Sequence, residues 1–442
     1  MCLVIQHFHR INEIAFSIVV STDERLHFER IFLSWTDMRV LVFAHTPPPF
    51  HGQSYMVQLM LENLEKSGTG TGEHPILFHV NARLSDGLDD IGVWRIGKLF
   101  RLIGYILQAW WMRWKYSLEA FYYVPAPPAK RGALYRDWLV LGLVAPFFKI
   151  KIFHWHAPGL GQWCREASSS GLIHHLEAWL TCRLFFRHDL SCVLNEWGRR
   201  DAEVFSPRHI AVVANGILDP CPDFASTVLP RRLLHHRERA LGQEESPASF
   251  QLLYLAHATR SKGIFDAIDA VSLANAQLKQ NRAGWRMRLV VAGAFLNREE
   301  EQAFRDRISR DDLRLKSHEQ ESSAVIYAGY AGPDEKDRLL RESDALCFPS
   351  FYPNEGQPVS VIEALAYGMP VLVSRWRALP EMLSPSLAHL VDASDPAALA
   401  KALVPFAGEM RFEEYRKYYL DHYALTAHCE CMRAAFLSVT PT

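Results

Sequence analysis

Two glutamates, Glu355 and Glu363, stand with seven residues between them in the segment 354–366. The apolar stretch 345–349 places Glu355 in the loop after a strand, and Glu363 lies two turns into the next helix. Pro358 suits the first turn of that helix, because its missing N–H has no helical partner there. The free N–H groups of a helix start attract anions. The two carboxylates could therefore hold the hydroxyls of a sugar nucleotide whose phosphates lie at the helix start, or they could simply face water.

Two cations, Arg260 and Lys262, precede Gly263 shortly after the first apolar strand of the second half. A helix is predicted to start near Gly263, so its positive end and both side chains converge on one point. This arrangement can neutralise the charge of a departing diphosphate. A solvated basic loop is the alternative.

Two histidines, His154 and His156, alternate at the end of a predicted strand, so their side chains lie on the same face. They could bind a metal, but no third ligand stands at a telling spacing, and we expect no metal site. A buried, hydrogen-bonded histidine is the alternative for His154.

Glycines lie at the points where strands give way to helices or loops. Gly52 follows the first strand, Gly293 ends a strand at the expected nucleotide edge, and Gly356 adjoins Glu355. Glycine lets the backbone approach a ligand closely, although each position could also be only a turn. The turn Asn215-Gly216 closes the first half, and left-handed backbone is its simplest explanation.

The elements around these residues alternate between short apolar runs and longer amphipathic stretches after Met38. This pattern predicts parallel sheets covered by helices on both faces. Strands are predicted over 38–44, 75–80, 121–124, 150–155, 190–194, 210–213, 252–255, 288–292, 324–327, 344–348 and 370–373. Helices are predicted over 52–66, 97–118, 134–146, 172–186, 196–204 and 298–310, from Gly263, and around Glu363. Two such lobes facing each other place the carboxyl ends of both sheets on one cleft, where open α/β sheets bind ligands.

The domain organisation follows from these patterns. Residues 1–37 are predicted to be a leader that is disordered or precedes the natural start at Met38. A Rossmann-like acceptor-side domain is expected over 38–218 and a Rossmann-like nucleotide-sugar domain over 250–414. The segment 219–249, rich in Pro, Arg, His and Glu, is predicted to be a linker and entry loop. The C-terminal stretch 415–442 is predicted to be helical.

Composition narrows the class of protein. A chain of 442 residues favours two domains. The formal charge of −1 argues against a nucleic-acid partner. Eight cysteines without a Cys-x-x-Cys pattern indicate a reducing, cytoplasmic compartment. The longest apolar run, 139–148, reaches only half of the ~20 residues needed to span a membrane.

The predicted helix at 94–115 mixes aromatic residues with lysines and arginines. Such a mixture is typical of helices that lie on a bilayer surface with anionic lipids. The stretch could therefore make peripheral contact with the inner face of the membrane, or it could be a partly covered core helix.

The segment FPS…EGQPVSVIEALAYGMPVLVS closely resembles the signature of the retaining glycosyltransferase family 4, and the likeness extends over most of the chain after Met38. The resemblance implies the GT-B fold, with two Rossmann-like doubly wound domains facing across a cleft and the last helix crossing back to the first domain. It also implies a glycosyltransferase that moves a sugar from a nucleoside diphosphate sugar to an acceptor hydroxyl with retention of configuration, in polysaccharide or glycolipid assembly.

The resemblance also implies roles for single residues. Glu363 is expected to hold the ribose and Glu355 the transferred sugar. Lys262 is expected to stabilise the departing diphosphate, with His257 or Arg260 as the second phosphate ligand, since relatives carry a cation or Asn where this chain has His257. His156 matches the family histidine beside the reacting sugar.

The glycines match as well, although relatives often have two where this chain has Gly52 followed by Gln53. Gly52, Gly263, Gly293 and Gly356 are expected to line the donor site. No metal or other cofactor is expected, because helix ends and basic side chains supply the charge. The acceptor is a carbohydrate or a lipid-linked glycan.

Two alternatives use the same fold. An epimerase would convert a nucleotide sugar without an acceptor, and a phosphorylase would need inorganic phosphate. A non-catalytic scaffold would keep the fold to bind a partner, but loss of Lys262 or of either glutamate would be expected there, and all three are present.

Overall fold

The computed structural model describes residues 38–48, 52–64, 75–84, 96–127, 131–167, 171–242, 248–316 and 321–440. The leader predicted over 1–37 and the first two residues of the helix predicted from 94 lie outside the described residues. Each of the two lobes described below is built around one parallel sheet.

The first lobe contains a six-stranded parallel sheet with the order β2-β1-β3-β4-β5-β6. Its strands are β1 (Arg39–Ala44), β2 (Ile76–Asn81), β3 (Ala120–Tyr123), β4 (Ile150–Trp155), β5 (Leu190–Val193) and β6 (His209–Val212). Its helices are α1 (Gly52–Asn63), α2 (Ile96–Lys115), α3 (Arg131–Leu143), α4 (Leu160–Ala167), α5 (Leu172–Phe185) and α6 (Glu196–Ala202). Every strand lies within one residue of its predicted bounds, because an apolar run bounded by polar turns marks a doubly covered strand.

Alternate residues of the first sheet face two helical layers. Leu41 and Phe43 pack with α2, α3 and α5 in one cluster, whereas Val40 and Val42 pack with α1 on the other face. Both faces of the sheet are therefore dry, which is why its strands read as continuous apolar runs rather than as alternating ones.

The second lobe contains another six-stranded sheet, with the order β11-β8-β7-β12-β13-β14. Its strands are β7 (Ala248–Leu255), β8 (Trp285–Ala292), β11 (Val325–Gly329), β12 (Ala345–Phe348), β13 (Val371–Ser374) and β14 (His389–Val391), and β9 (Arg314–Lys316) and β10 (Glu321–Ser323) form a separate antiparallel pair. Counted within the lobe, the order is 3-2-1-4-5-6, that of a dinucleotide-binding sheet. The strand order reverses between β7 and β12, and ligands bind such sheets at this switch point.

The helices of the second half include three that the sequence does not predict, at 229–240, 333–342 and 396–406. The helices of this half are α7 (Leu229–Ala240), α8 (Ile264–Gln280), α9 (Arg298–Ile308), α10 (Pro333–Glu342), α11 (Val359–Ala366), α12 (Pro396–Phe406), α13 (Phe412–His422) and α14 (Leu425–Leu437). The segment predicted as a linker and entry loop holds α7, so the prediction of a loop there is wrong for these residues. The helix is held by Arg232, which is buried and donates to the carbonyl oxygens of Leu340, Ser343 and Tyr367. A helix that buries an arginine toward the protein does not show the apolar periodicity from which helices are predicted, so the sequence does not reveal α7.

The chain returns to the first lobe at its C-terminal end. The predicted single helical stretch divides between α13 and α14, where Ala424 pairs with Ile217. From α14, the His428 ring lies 2.6 Å from the carbonyl oxygen of Ala214, and Arg433 donates to the carbonyl oxygen of Leu64. The last helix therefore lies against the first lobe.

The buried histidine His188 gives this fold a pH dependence. Its Nδ1 lies 2.7 Å from the carbonyl oxygen of Phe185 and its Nε2 lies 2.6 Å from Ser191 Oγ. Burial lowers the pKa of His188 to about 4. An unfolded histidine titrates near pH ~6.5, so as the pH falls the unfolded state takes up the proton first. We expect His188 to remove roughly 3 kcal/mol from the free energy of unfolding as the pH falls from ~6.5 to ~4.

Urea unfolding of the protein and of His188→Gln across this pH range measures the effect. The glutamine side chain can still hydrogen-bond but cannot titrate, so the variant should lose less stability on acidification. Equal pH slopes for the two proteins would contradict the prediction.

Candidate active site

An ion pair joins two loops at the carboxyl edge of the second sheet. Lys262 Nζ lies 2.7 Å from Glu355 Oε2, and the two side chains are only 17% and 5% exposed. The same carboxylate oxygen accepts a hydrogen bond of 2.5 Å from Ser350 Oγ. Lys262 Nζ also lies 4.8 Å from the centre of the Tyr352 ring. The first cation and the first acid predicted from the sequence thus meet directly.

Gly263 makes this meeting possible. Its φ of +78° is left-handed, and an added Cβ would stand 2.1 Å from the carbonyl oxygen of Pro349. The turn that carries Lys262 can therefore press against the loop after β12 only if position 263 has no side chain. Gly293, with φ +156°, is restricted in the same way, since its Cβ would lie 1.7 Å from the carbonyl oxygen of Ala256.

Glu363 also has a lysine partner, which the sequence analysis missed. Lys336, from α10, donates a hydrogen bond of 2.5 Å to Glu363 Oε1. Burial raises the pKa of Glu363, and the charge and the hydrogen bond of Lys336 oppose that rise. Lys336 lies in a uniformly polar stretch of a surface helix, which gives no signal of its role.

Helix α1 of the first lobe faces Glu363 and the start of α11. A Cβ on Gly52 would lie 3.8 Å from Val359 Cγ2 at the helix start. The pKa of Tyr55 is raised mainly by burial and next by the negative charge of Glu363. The glycine loop and Glu363 therefore line the same cleft from opposite sides.

The two candidates for the second phosphate ligand have different surroundings in the structure. The Arg260 guanidinium lies 4.5 Å from the centre of the Phe265 ring, on the helix that follows. His257 keeps an exposed surface, but its ring is partly withdrawn from water, and this desolvation, together with the charge of Lys262, lowers its pKa. His257 is thus the residue within electrostatic reach of Lys262, and it is neutral at pH 7.

His156 lies at the contact between the lobes. Its carbonyl oxygen would be 2.9 Å from a Cβ on Gly356, so a side chain there would force the two loops apart. The His156 and His154 rings are centred 4.1 Å apart. His154 is buried, with its Nδ1 2.6 Å from the Tyr122 hydroxyl, and desolvation lowers its pKa well below the usual value. Among the described residues no group of three metal-ligating side chains occurs.

Further polar contacts join the lobes around this point. The backbone N–H of Asn215 donates to Gln357 Oε1 over 2.6 Å. Arg377 donates to Gln162 Oε1 over 2.9 Å, and the backbone N–H of Trp197 donates to the carboxylate of Glu381. The turn at Asn215, helix α4 and the start of α6 thus each connect the first lobe to the second by a hydrogen bond.

Taken together, the carboxyl edges of both sheets form one cleft. Its second-lobe wall presents Lys262, Glu355, Glu363 and the start of α11, and its first-lobe wall presents Gly52 and His156. The Arg260 guanidinium lies over the ring of Phe265. Cations, acceptors for hydroxyls and free N–H groups at a helix end suit a ligand with both phosphates and sugar rings.

Two facing doubly wound lobes that share such a cleft define the GT-B class, as the sequence predicts. Comparison with known proteins agrees: residues 238–407, which form most of the second lobe, match the family described as Glycosyl transferases group 1. The resemblance to a GT-B glycosyltransferase is therefore confirmed.

Two curated relatives share part of the sequence. The chain is 27% identical over 169 residues to the "Putative colanic acid biosynthesis glycosyltransferase WcaL" of Escherichia coli (strain K12), which covers 37% of each protein. It is 26% identical over 232 residues to the Salmonella typhimurium protein of the same name, which covers 51% of this chain and 49% of that one. The chain thus matches less than half the length of either relative.

Solved structures share the whole fold. HepE from Anabaena, crystallised in complex with UDP, superposes with a TM-score of 0.59 at 12% identity over 91% of this chain and 100% of that one. A glycosyltransferase from Rickettsia africae gives a TM-score of 0.59 at 13% identity over 92% and 99% of the two chains. At such identity the likeness shows the fold, and it confirms the two-lobe α/β architecture.

The partnership of Lys336 and Glu363 makes a prediction that needs no ligand. Removing the lysine charge in Lys336→Met should raise the pKa of Glu363 further, because desolvation would act unopposed. NMR titration of the glutamate carboxylates, with Glu363→Gln to assign the signal, measures this pKa. Lys336→Arg keeps the charge and should leave it nearly unchanged. The same pKa in Lys336→Met and the parent protein would show that the pair does not act on Glu363.

Proposed function

We propose that this protein is a retaining glycosyltransferase of family 4 that transfers a sugar from a nucleoside diphosphate sugar to an acceptor hydroxyl. The observation that carries the proposal is the ion pair of Lys262 and Glu355, which lies on the same cleft wall as Glu363 and the start of α11. In this arrangement Glu363 would meet the ribose, Lys262 and the helix end the diphosphate, and Glu355 the sugar, which is the order of these groups along the donor.

The two ion pairs act as placeholders for the donor. When a diphosphate reaches the cleft, it takes over Lys262, which frees Glu355 to accept hydrogen bonds from the hydroxyls of the sugar. In the same way, ribose hydroxyls donate to Glu363 beside Lys336. Each charge then exchanges one partner for another and is never left buried and unpaired, which would be costly.

The reaction breaks the bond between the anomeric carbon and the diphosphate oxygen, and the bonding electrons leave with that oxygen. The acceptor oxygen bonds to the anomeric carbon on the same face, and its proton passes to the departing phosphate oxygen. Lys262 and the N–H groups at the start of α11 stabilise the negative charge that develops. His156 lines the sugar pocket, and closure of the lobes excludes water.

The relatives suggest which substrates to try first. HepE has been crystallised with UDP and with UDP-glucose, and the WcaL proteins carry a colanic acid biosynthesis name. We therefore propose a uridine diphosphate sugar as donor and a growing polysaccharide or lipid-linked glycan as acceptor, on the cytoplasmic side of the cell.

A panel of nucleotide sugars, read by thermal shift and by release of the nucleoside diphosphate, tests this function. One donor should stabilise the protein, since a ligand that binds only the folded state raises the melting temperature. Glu363→Ala should weaken donor binding by about ten- to a hundredfold, because a charged hydrogen bond is lost. Lys262→Ala should lower kcat by about a hundredfold or more, because leaving-group stabilisation is lost.

Arg260→Ala is the matched control, because that cation lies two residues from Lys262 but is turned to Phe265. It should retain most of its activity. Donor turnover without acceptor would favour an epimerase, a need for inorganic phosphate would favour a phosphorylase, and no binding of any nucleotide sugar would favour a scaffold. Parent-like turnover in both the Lys262 and Glu363 variants would remove the site assignment.

We also propose that transfer needs no divalent metal, since Lys262 and the helix end already meet the charge of the leaving group. Activity should persist in excess chelator, and loss of activity that Mg²⁺ or Mn²⁺ restores would contradict this. Because His257 is neutral, a cation at this position should increase the affinity for the diphosphate. His257→Arg should tighten binding of the product diphosphate by about tenfold, as one added charged hydrogen bond would.

A further inference from the structure

Three helices form the outer layer on one face of the first sheet. Helices α2 and α3 are joined where Trp110 Nε1 donates over 2.7 Å to the carbonyl oxygen of Leu143. Helices α3 and α5 are joined where Trp138 Nε1 donates over 2.9 Å to Thr181 Oγ1. Their inner sides belong to a single apolar cluster with the sheet. The three helices therefore turn one continuous outer surface away from the protein.

That outer surface is unusually apolar. On α2 a stripe with helical spacing is 44–70% exposed, and it consists of Phe100, Ile103, Leu107, Trp111 and Trp114. On α5 a second stripe is 54–77% exposed, and it consists of Leu172, Ile173, Leu176 and Trp179. Between them lie Leu139, Leu143 and Phe147, which are also exposed. We call these residues the outer helical face. Contiguous exposed apolar surface of this kind marks an interaction site.

The charges on the three helices are almost all positive. Helix α2 has no acidic residue and carries Lys98, Arg101, Arg113 and Lys115. The acids of α3 and α5, Asp137 and Glu177, are buried, and they accept hydrogen bonds from Tyr123 and Tyr135. Glu119, just beyond α2, lies 3.9 Å from Lys149. The outer helical face is thus an apolar surface with a basic border.

We propose that the outer helical face docks the protein on the surface of a bilayer that contains anionic lipids. Exposed tryptophans insert at the level of the headgroups, and lysines beside them reach the anionic phosphates. Lys115 already lies over the Trp111 ring, with Nζ 4.3 Å from its centre, so apolar and cationic contacts come from the same point. No helix among the described residues is long and apolar enough to cross the membrane, and docking on its surface needs none.

A second copy of the chain is a poorer occupant than a bilayer. In a two-fold dimer each face would meet its own copy. Lysines and arginines of α2 would then oppose the same residues, with no exposed acid on these helices to pair with them. An anionic bilayer satisfies both features of the face at once, the apolar stripes and the positive charge.

The outer helical face extends beyond the single helix that the sequence indicates, because α5 also contributes a stripe of exposed apolar residues. The docking proposal is also independent of the proposed function. Docking can be measured without donor or acceptor, so a failure of either idea leaves the other intact.

Flotation of the full chain with vesicles tests the proposal. Vesicles of phosphatidylcholine are compared with vesicles that also contain phosphatidylglycerol, and both are measured at low and high salt. We expect binding to the anionic vesicles that weakens with salt. Trp111→Ser with Trp114→Ser on α2, and separately Trp179→Ser on α5, should each reduce binding by about tenfold or more, because interfacial anchors are lost.

The matched control is Leu273→Ser with Leu296→Ser, since these leucines of the second lobe are 47% and 60% exposed and lie outside the face. The control should bind as the parent does, and circular dichroism should show all variants folded. Absence of binding to anionic vesicles would overturn the proposal. Equal binding by the parent and both tryptophan variants would also overturn it. A stable dimer in light scattering that becomes monomeric in the tryptophan variants would overturn it as well.

Discussion

The site depends on one buried ion pair, that of Lys262 and Glu355. When a lysine and a carboxylate are withdrawn from water, the free energy of their attraction barely offsets the cost of their lost hydration. Such a buried ion pair is therefore weak evidence that it serves to stabilise the fold. Here the cost is reduced by Ser350, which donates to the same carboxylate oxygen. The pair is best understood as two groups held ready, each of which neutralises the other until a ligand of mixed charge and hydroxyl character replaces both partners.

Backbone geometry sets the position of that pair. Gly263 brings its turn against Pro349, and Gly356 brings the glutamate loop against the backbone of His156. The first contact aligns two loops of one sheet, and the second joins the two lobes. Because Glu355 lies one residue from the contact between the lobes, any hinge motion that separates them also moves its carboxylate. If the lobes close on a ligand as proposed, closure would also move Glu355, which is how lobe motion can gate a reaction.

The sequence predicts the framework well, because the framework is local. Apolar runs define every strand of the two large sheets except β14, and the spacing of Glu355, Glu363 and Lys262 against strand ends points to one cleft. What the sequence does not show is set by long-range partners. Lys336 gains its role only through Glu363 on another helix, and α7 is held by the buried Arg232, which bonds to carbonyl oxygens over a hundred residues away. The contact of Arg260 with the Phe265 ring and the effect of Lys262 on His257 are likewise visible only in the structure.

Because His257 is neutral, the positive charge at the proposed phosphate position comes mainly from Lys262. Where a second cation would share the charge of a leaving group, this chain offers an imidazole whose pKa is lowered partly by Lys262 itself. The positive charge of Lys262 would repel a protonated ring, which favours the neutral state of His257. The proposed phosphate site then contains the cation of Lys262, a neutral imidazole and the positive end of α11. If the cleft binds a nucleoside diphosphate as proposed, it should hold the diphosphate less tightly than two cations would. Weaker holding of the product favours its departure, and in many enzymes with closing lobes departure limits the rate of turnover.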